Sequence, residues 1–292
     1  MQLDHTRVTV RERGMLEICD LALHVCRDFS PKLLVMFVIG IVPLAVFNWF
    51  ALQWLVDDLT GWGFARYAWL MILLVFIETP IATAAATLFL GDAMFLEPPT
   101  VRNVLKSLWS LSGKLFLTQG LLRGVIPAMG VALTLGPDRW LADVVLPMIA
   151  AYLVIMRAVR PFVNEIILLE RNPLWSRDKR TITIARRSGK LHNPNAGELF
   201  GRYLGIICMS VLLSTIILFG VWFGVGTLFS DWTWGPVMLH VVFPASLWTV
   251  AAYMAVVRYL SYLDLRTRRE GWALELLMRA EANRLQKQMG IH

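Results

Sequence analysis

The sequence predicts an all-α, polytopic integral membrane protein with about six transmembrane helices in three hairpins, together with interfacial amphipathic helices. Of the 292 residues, 57% are hydrophobic and only 17% are charged, and the mean hydropathy is +0.59. A soluble chain of this length carries more charge than that. The apolar residues also form runs of about twenty residues, the length that a helix needs to cross about 30 Å of hydrocarbon.

Six apolar runs follow one another along the chain, separated by polar turns or charged stretches. They cover residues 33–52, 67–90, 115–135, 141–156, 203–229 and 237–257. We expect the fourth helix to continue beyond its apolar run as far as Glu170. The predicted organisation is a six-span membrane domain with an N-terminal interfacial helix over 1–257, followed by a cytoplasmic C-terminal helix over 258–292.

The positive charges indicate an orientation. Residues 157–202, called the basic stretch below, contain ten Lys and Arg residues and four carboxylates. Over the whole chain, 25 of the 28 Lys and Arg residues fall in predicted inner segments and two fall in predicted outer turns. Because short cytoplasmic loops are enriched in Lys and Arg, we expect both termini in the cytoplasm and the protein in the cytoplasmic (inner) membrane.

An amphipathic stretch precedes the first, third and fifth apolar runs. In residues 7–29, apolar side chains recur at helical spacing at Met15, Ile18, Ala22 and Val25. In residues 100–114 they recur at Val101, Leu105, Leu108 and Leu111. Residues 181–187 are a predicted short surface helix. Since a hairpin with a short outer turn follows each stretch, the pattern suggests three units of one layout.

Two charged side chains, Glu78 and Arg123, lie inside apolar runs, where a charge is costly. Counted from the outer turns at a rise of 1.5 Å per residue, both lie about 18–20 Å deep. Their spans are consecutive and antiparallel, so we expect an intramembrane ion pair. The pair either locks one hairpin or forms a proton or substrate site. Residues 79–87 combine Pro80 with Thr and small side chains, a pattern typical of a packing face or of a kinked helix at a binding site.

The basic stretch contains a candidate surface for anionic lipid headgroups. Its residues are Arg177, Lys179, Arg180, Arg186, Arg187 and Lys190. Two alternatives remain: the charges serve topology alone, or they dock an unidentified cytosolic protein. We expect membrane lipids as partners. No nucleic-acid partner is expected, because the basic residues cluster at the ends of apolar runs, as membrane topology requires.

No catalytic, cofactor or metal motif is present in the sequence. It contains no HExxH pair, no Gly-x-Ser-x-Gly elbow and no complete phosphate-binding loop. The three cysteines, Cys19, Cys26 and Cys208, lack the CxxC spacing of a zinc site. We therefore expect no enzyme activity, no cofactor and no metal.

A polar motif follows the last apolar run, at Tyr262, Asp264, Arg266, Arg268, Glu270 and Gly271. It resembles the Y-x-D-x-R-x-R-x-E-G-x-x-L-E ending of a broad group of uncharacterised bacterial polytopic membrane proteins. Residues 78–95 look like the second span of one branch, and the layout distantly resembles the membrane domain attached to some glycerophosphodiester phosphodiesterases. This resemblance implies a membrane fold and no particular activity.

The spacing within the tail motif favours ion pairs. At helical i,i+4 spacing, Asp264 reaches Arg268 and Arg266 reaches Glu270. The segment either folds back on the basic stretch, with Asp264 or Glu270 meeting one of its arginines, or forms a solvated, self-paired helix.

Two functions are compatible with these observations. The first is a non-enzymatic scaffold or accessory protein that acts through lipid and protein contacts. The alternative is a small-solute or lipid transporter, or a channel, with a mid-membrane site at Glu78 and Arg123. A water-filled path to these two residues favours transport, whereas a dry, packed centre favours the scaffold.

Overall fold

The computed structural model describes residues 14–52, 62–94, 99–134, 140–178 and 180–270. Within these ranges the chain is helical and contains no β-strand. The α-helices are α1 (Met15–Asp28), α2 (Ser30–Leu52), α3 (Trp62–Ala82), α4 (Ala84–Ala93), α5 (Val101–Leu115), α6 (Val125–Thr134), α7 (Trp140–Val159), α8 (Val163–Glu165), α9 (Ile184–His192), α10 (Ala196–Phe229) and α11 (Phe243–Glu270). Turns of π-helix cover Phe116–Leu122, Ile166–Glu170 and Met238–Val242, and Asn193–Asn195 form a 3₁₀ turn.

Four helical segments of the described chain are long and apolar enough to cross a membrane. They are Ser30–Leu52, Gly63–Ala93, Ile184–Phe229 and Met238–Arg268. Counting the bent pair Asp143–Val159 and Val163–Glu170 as one span brings the number to five. The chain therefore has the helices of a multi-pass membrane protein. The long segments match the first, second, fifth and sixth predicted runs. The third and fourth runs, called the middle pair below, differ from the prediction because their helices are interrupted or bent.

The third apolar run is not one regular helix. α5 passes into the π-helical turn Phe116–Leu122, and the helix is interrupted at Arg123 and Gly124 before α6 begins. Gly124 has a φ of 74°, a left-handed conformation that glycine adopts without strain. A Cβ at this position would lie 2.8 Å from Ile149 Cγ2, so α7 also approaches the backbone closely here.

The fourth run bends sharply at its inner end. α7 ends at Val159, and the following segment Val163–Glu170 is inclined to it by 75°. Pro161 lies in the break, where it has no amide to donate and disfavours a helical conformation in the residue before it. The predicted continuous helix as far as Glu170 is therefore wrong. The next amide, that of Phe162, donates to His192 Nε2 at 3.2 Å and ties the bend to α9.

Residues 79–87 form a tightly packed face. Three hydroxyl groups each donate to the carbonyl four residues earlier, at 2.6 Å for Thr79, 2.8 Å for Thr83 and 3.1 Å for Thr87. Small side chains between them are buried, and α2 packs against them. A Cβ at Gly40 of α2 would lie 1.9 Å from the Ala82 carbonyl oxygen, so only glycine permits this approach.

α1 packs against α11. The predicted apolar stripe is buried at Ile18, Ala22 and Val25. The Tyr253 hydroxyl of α11 donates to the Cys19 carbonyl at 2.9 Å. The helical spacing of this stretch therefore identified the packed face correctly.

α5 packs through only part of the predicted stripe, since Leu111 is buried and Leu108 is partly buried against the core. Its buried residues are Val104, Leu111 and Leu115. The predicted positions Val101 and Leu105 are exposed, so this part of the prediction is wrong. The apolar residues of α5 surround a wide arc of the helix, and the neighbouring α4 and the turn Ile166–Glu170 determine which part is covered.

Two hydrophobic clusters form the interior. One joins α1, α4, α5 and the second half of α11, and the other joins α3, α6, α7 and the start of α11. At the end of α10, aromatic rings lie 5.4 to 6.1 Å apart, contributed by Phe219, Trp222, Phe223, Trp232 and Trp234. Such aromatic clusters are typical of a membrane interface.

Candidate functional site: an arginine-lined cavity

A cavity of about 800 Å³ lies between α3, α7, α10 and α11 and is open to the surface. α10 contacts α7 and α11, but no residue is buried in its most apolar 18-residue window. Space is therefore left between α10 and the rest of the bundle. The cavity lining follows α10 from Arg202 to Leu218, which corresponds to about 24 Å at 1.5 Å per residue.

The cavity has apolar walls and one strongly basic end. Each of the four helices contributes apolar side chains, among them Leu73, Ala150, Leu218 and Leu247. Four arginines line the basic end, called the arginine end below: Arg123, Arg157, Arg202 and Arg258. No carboxylate of the described residues lines the cavity. This arrangement suits a ligand with an anionic group at one end and an apolar body.

Arg157 is held at the arginine end by carbonyl groups of α3 that precede Pro80. Pro80 has no amide, so the carbonyl of Phe76, four residues earlier, lacks its usual helical donor. Arg157 Nη1 donates to that carbonyl at 2.7 Å, and Nη2 donates to the Ile77 carbonyl at 3.1 Å. The guanidinium also stacks over the Phe76 ring, 4.3 Å from its centroid. Arg157 is only 7% exposed, and its Nε has no hydrogen-bond partner.

Arg258 pairs with a fully buried carboxylate. Its Nε lies 2.5 Å from Glu165 Oε1, on the segment that follows the bend at the end of α7. Arg258 Nη2 and Glu165 Oε2 are buried without a hydrogen-bond partner. Arg258 therefore lines the cavity with one buried donor that no protein acceptor satisfies.

Arg123 reaches the same place from the break before α6. Its Nη2 donates to the Arg160 carbonyl at 3.1 Å. Its electrostatic neighbours include Glu165, Arg258 and Tyr203. Arg123 therefore belongs with Arg157 and Arg258 in one basic cluster.

Arg202 belongs to a charge network with the tail motif. It lies 3.0 Å from Glu198 and 3.1 Å from Asp264. Arg268 contacts the same two carboxylates, at 2.7 Å and 3.2 Å. Two arginines and two carboxylates thus balance one another, and the tail folds back on the basic stretch through Asp264.

A second network joins the tail to the basic stretch at Glu170. Arg187 binds this carboxylate through two nitrogens, at 2.6 and 2.8 Å. The Tyr262 hydroxyl donates to it at 2.6 Å, and Arg266 lies 3.9 Å away. Because Glu170 lies directly before Arg171, which has a φ of 53°, the network fixes the chain where the bent segment ends.

Glu78 and Arg123 do not form the predicted ion pair. Glu78 is fully buried and accepts a hydrogen bond from Asn48 Nδ2 of α2 at 2.8 Å, and its Oε1 has no hydrogen-bond partner. The prediction is wrong because two residues at the same depth along their helices need not point their side chains towards each other. Glu78 meets Asn48 of α2, whereas Arg123 lines a cavity whose lining does not include Glu78.

The predicted lipid-headgroup surface is only partly free. Arg177, Arg180, Arg186 and Lys190 are exposed. Arg186 donates to the carbonyls of Asp178 and Thr181, and Arg187 is bound to Glu170. Lys179 lies outside the described residues. Gly271 and the side chain of Glu270 also lie outside them, so the predicted pair of Arg266 with Glu270 stays a prediction.

Sequence reasoning missed three of the four cavity arginines as site residues. Arg157, Arg202 and Arg258 counted only as charges at the ends of apolar runs. The missing amide of Pro80 predicts a free carbonyl at Phe76, but the donor that satisfies it is about eighty residues away in the sequence. Only folding reveals that partner.

Comparison of the sequence and fold with protein-family models, with curated proteins and with solved structures finds no match. In the described part of the chain, no group of three or more His, Cys, Asp and Glu side chains is placed to hold a metal ion. A function for the cavity must therefore be argued from the geometry of its own residues.

Proposed function

We propose that this protein binds an anionic lipid inside the membrane and hands it on without chemical change, as a lipid transporter or carrier. The observation behind the proposal is the open cavity of about 800 Å³, which has apolar walls and four arginines at one end. Lipid tails fit the walls by the hydrophobic effect. Desolvated guanidinium groups bind phosphate and carboxylate oxygens strongly.

The site differs from the one predicted at Glu78 and Arg123. Arg123 lines the cavity, but Glu78 does not line it and pairs with Asn48. The proposal thus keeps the transport alternative and moves its site to the arginine end. The other possible role of the cavity arginines, a purely structural one, does not explain why they line an open space.

Orientation is a further part of the proposal. We propose that the chain crosses the membrane six times, through the four long segments and the two interrupted runs of the middle pair. Both termini then lie in the cytoplasm. The distribution of Lys and Arg supports this arrangement, since 25 of 28 fall on one side. The arginine end then faces the cytoplasmic leaflet of the inner membrane.

The lipid-binding proposal is tested with purified protein and a fluorescent anionic lipid in neutral detergent micelles. Arg123→Gln is expected to weaken binding roughly tenfold or more, because a hydrogen-bonded charge is lost. Arg177→Gln, an exposed arginine outside the cavity, is the matched control and is expected to bind normally. Equal binding by both variants contradicts the proposal.

The apolar wall is tested separately. Ser214 of α10 lines the cavity, and Leu212 of the same helix is exposed and does not line it. Ser214→Trp is expected to fill the cavity and abolish lipid binding, whereas Leu212→Trp leaves it intact. If Ser214→Trp binds lipid as well as the native protein does, the ligand lies elsewhere.

A scaffold or accessory role is the second candidate, favoured by two exposed indole rings. Trp109 and Trp175 are 82% and 83% exposed, and Trp175 lies two residues before the exposed Arg177. Alanine at both positions is expected to release a protein that copurifies from native membranes. The scaffold is favoured over the carrier if such a partner is lost from the alanine variant while Arg123→Gln and Ser214→Trp bind lipid as the native protein does.

A further inference from the structure

Building on the proposed lipid-binding function, we infer that the arginine end takes a phosphate monoester carrying two negative charges, as the head of a lipid such as a phosphatidic acid. Both the unbalanced charges and the buried unpartnered donors at the arginine end lead to this ligand.

The charges at the arginine end do not balance. Arg202 is neutralised within its network with Glu198, Asp264 and Arg268. The remaining three arginines of the cavity face one carboxylate, Glu165, which binds Arg258. In the described chain, no ion pair joins Arg123 or Arg157 to an acid.

Two positive charges are thus left over. A buried charge without a partner is costly, and the electrostatic neighbours of Arg157 include Arg123 and Arg258, which have the same sign. A bound group with two negative charges removes this imbalance, whereas a group with one charge leaves half of it. A zwitterionic head group leaves all of it.

Three donors at the arginine end are buried and have no hydrogen-bond partner. Arg157 Nε, Arg258 Nη2 and Tyr203 Oη are all buried without a hydrogen-bond partner, and all three residues line the cavity. Tyr203, Arg123, Arg157 and Arg258 all line this one cavity.

A phosphate monoester has three terminal oxygens, each a strong acceptor, and carries nearly two negative charges at neutral pH. A phosphodiester or a carboxylate offers two such oxygens and one charge. The monoester therefore matches both the three buried donors and the two unbalanced charges, whereas the other two groups offer one oxygen and one charge fewer. Arginine is also well suited to it, because the guanidinium fork fits phosphate oxygens.

The apolar walls decide between a lipid and a free phosphate. The cavity continues from the arginine end for about 24 Å along α10, past side chains that offer almost no further charge. A free phosphate leaves that space unfilled. The inference therefore commits to a phosphate that carries acyl chains.

The experiment compares binding of lipids with identical acyl chains and different heads to the full-length protein in neutral detergent. The probes are phosphatidic acid, phosphatidylglycerol and phosphatidylcholine, with inorganic phosphate and glycerol 3-phosphate as competitors that lack chains. Phosphatidic acid is expected to bind roughly tenfold or more tightly than phosphatidylglycerol, and the chain-free competitors to displace it poorly.

Tyr203→Phe removes the third donor and keeps the ring. It is expected to weaken phosphatidic acid binding several-fold and to leave phosphatidylglycerol binding nearly unchanged. Tyr253→Phe, whose hydroxyl bonds to α1 away from the cavity, is the matched control. Both variants retain a ring of the same shape, so folding is preserved and is checked by circular dichroism.

The outcomes separate the two proposals. Equal affinity for phosphatidic acid and phosphatidylglycerol, with both lost in Arg123→Gln, overturns the monoester inference and leaves lipid binding standing. Tight binding of inorganic phosphate without any lipid overturns the inference in favour of a free anion. Absence of binding by every anionic lipid overturns both.

Discussion

Arg157 and Pro80 are expected to be energetically coupled across the contact between α3 and α7. Proline at position 80 removes the amide that would bond to the Phe76 carbonyl, and Arg157 Nη1 supplies the donor at 2.7 Å. Arg157→Leu leaves this carbonyl without its donor, at a position where the native side chain is only 7% exposed. Pro80→Ala restores the helical amide, so the carbonyl no longer depends on the arginine.

The size of the coupling follows from the cost of an unpaired buried acceptor, about 1–3 kcal/mol. Arg157→Leu alone removes hydrogen bonds from a charged donor but also removes an unbalanced buried charge, which offsets part of the loss. We expect a net decrease in unfolding free energy of about 2–3 kcal/mol. In the Pro80→Ala background the same substitution is expected to cost about 1 kcal/mol, which gives a coupling of about 1–2 kcal/mol.

The double-mutant cycle is measured by unfolding the purified protein in mixed micelles with increasing sodium dodecyl sulfate, followed by circular dichroism. Arg177→Leu, tested with and without Pro80→Ala, is the control pair and is expected to show no coupling, since Arg177 is exposed. If Arg157→Leu costs the same free energy in both backgrounds, the carbonyl of Phe76 does not hold the arginine and the reasoning fails.

Three further predictions concern packing, the tail and a buried thiol. Gly40→Val is expected to destabilise the fold by about 3 kcal/mol or more, because a Cβ would lie 1.9 Å from a backbone oxygen, while Gly220→Val, with open space around it, is nearly neutral in thermal unfolding. Glu170→Gln is expected to cost about 3 kcal/mol by breaking its pair with Arg187, and to speed tryptic cleavage of the tail; unchanged cleavage contradicts the network. Burial raises the pKa of the Cys19 thiol, so less thiolate is present at neutral pH and maleimide labelling of the folded protein is expected to be slow, rising on denaturation.

Helical periodicity correctly predicted features that belong to a single helix, such as its buried face. The buried stripe of α1 at Ile18, Ala22 and Val25 follows directly from spacing, and residues 79–87 form the packing face that their small side chains indicate. The long apolar segments were also identifiable, because length and composition alone decide whether a helix reaches across a bilayer.

Contacts between helices were not predictable in the same way. Sequence spacing gives the depth of Glu78 but not the direction of its side chain, which is set by the packing of α2 against α3. The stripe of α5 was wrong at Val101 and Leu105 for the same reason, since the neighbouring elements determine which apolar residues are covered. Arg157 meets Phe76 across about eighty residues of chain, and no local pattern encodes that contact.

The interruptions of the middle pair and the arginine end have one physical origin. Non-helical backbone at membrane depth leaves amides and carbonyls unpaired, and it is tolerated only where protein buries it or where it lines a polar cavity. Both interruptions, at Arg123 and at Pro161–Phe162, line the cavity at its arginine end. Two of the freed groups find side-chain partners: the Arg160 carbonyl accepts from Arg123 of the cavity, and the Phe162 amide donates to His192 of α9. Straight helices would place no arginine from the middle of the third run in the cavity. The broken helices are therefore what builds a basic site inside an apolar bundle, and restoring either one, for example by Pro161→Ala, is expected to weaken lipid binding before it weakens the fold.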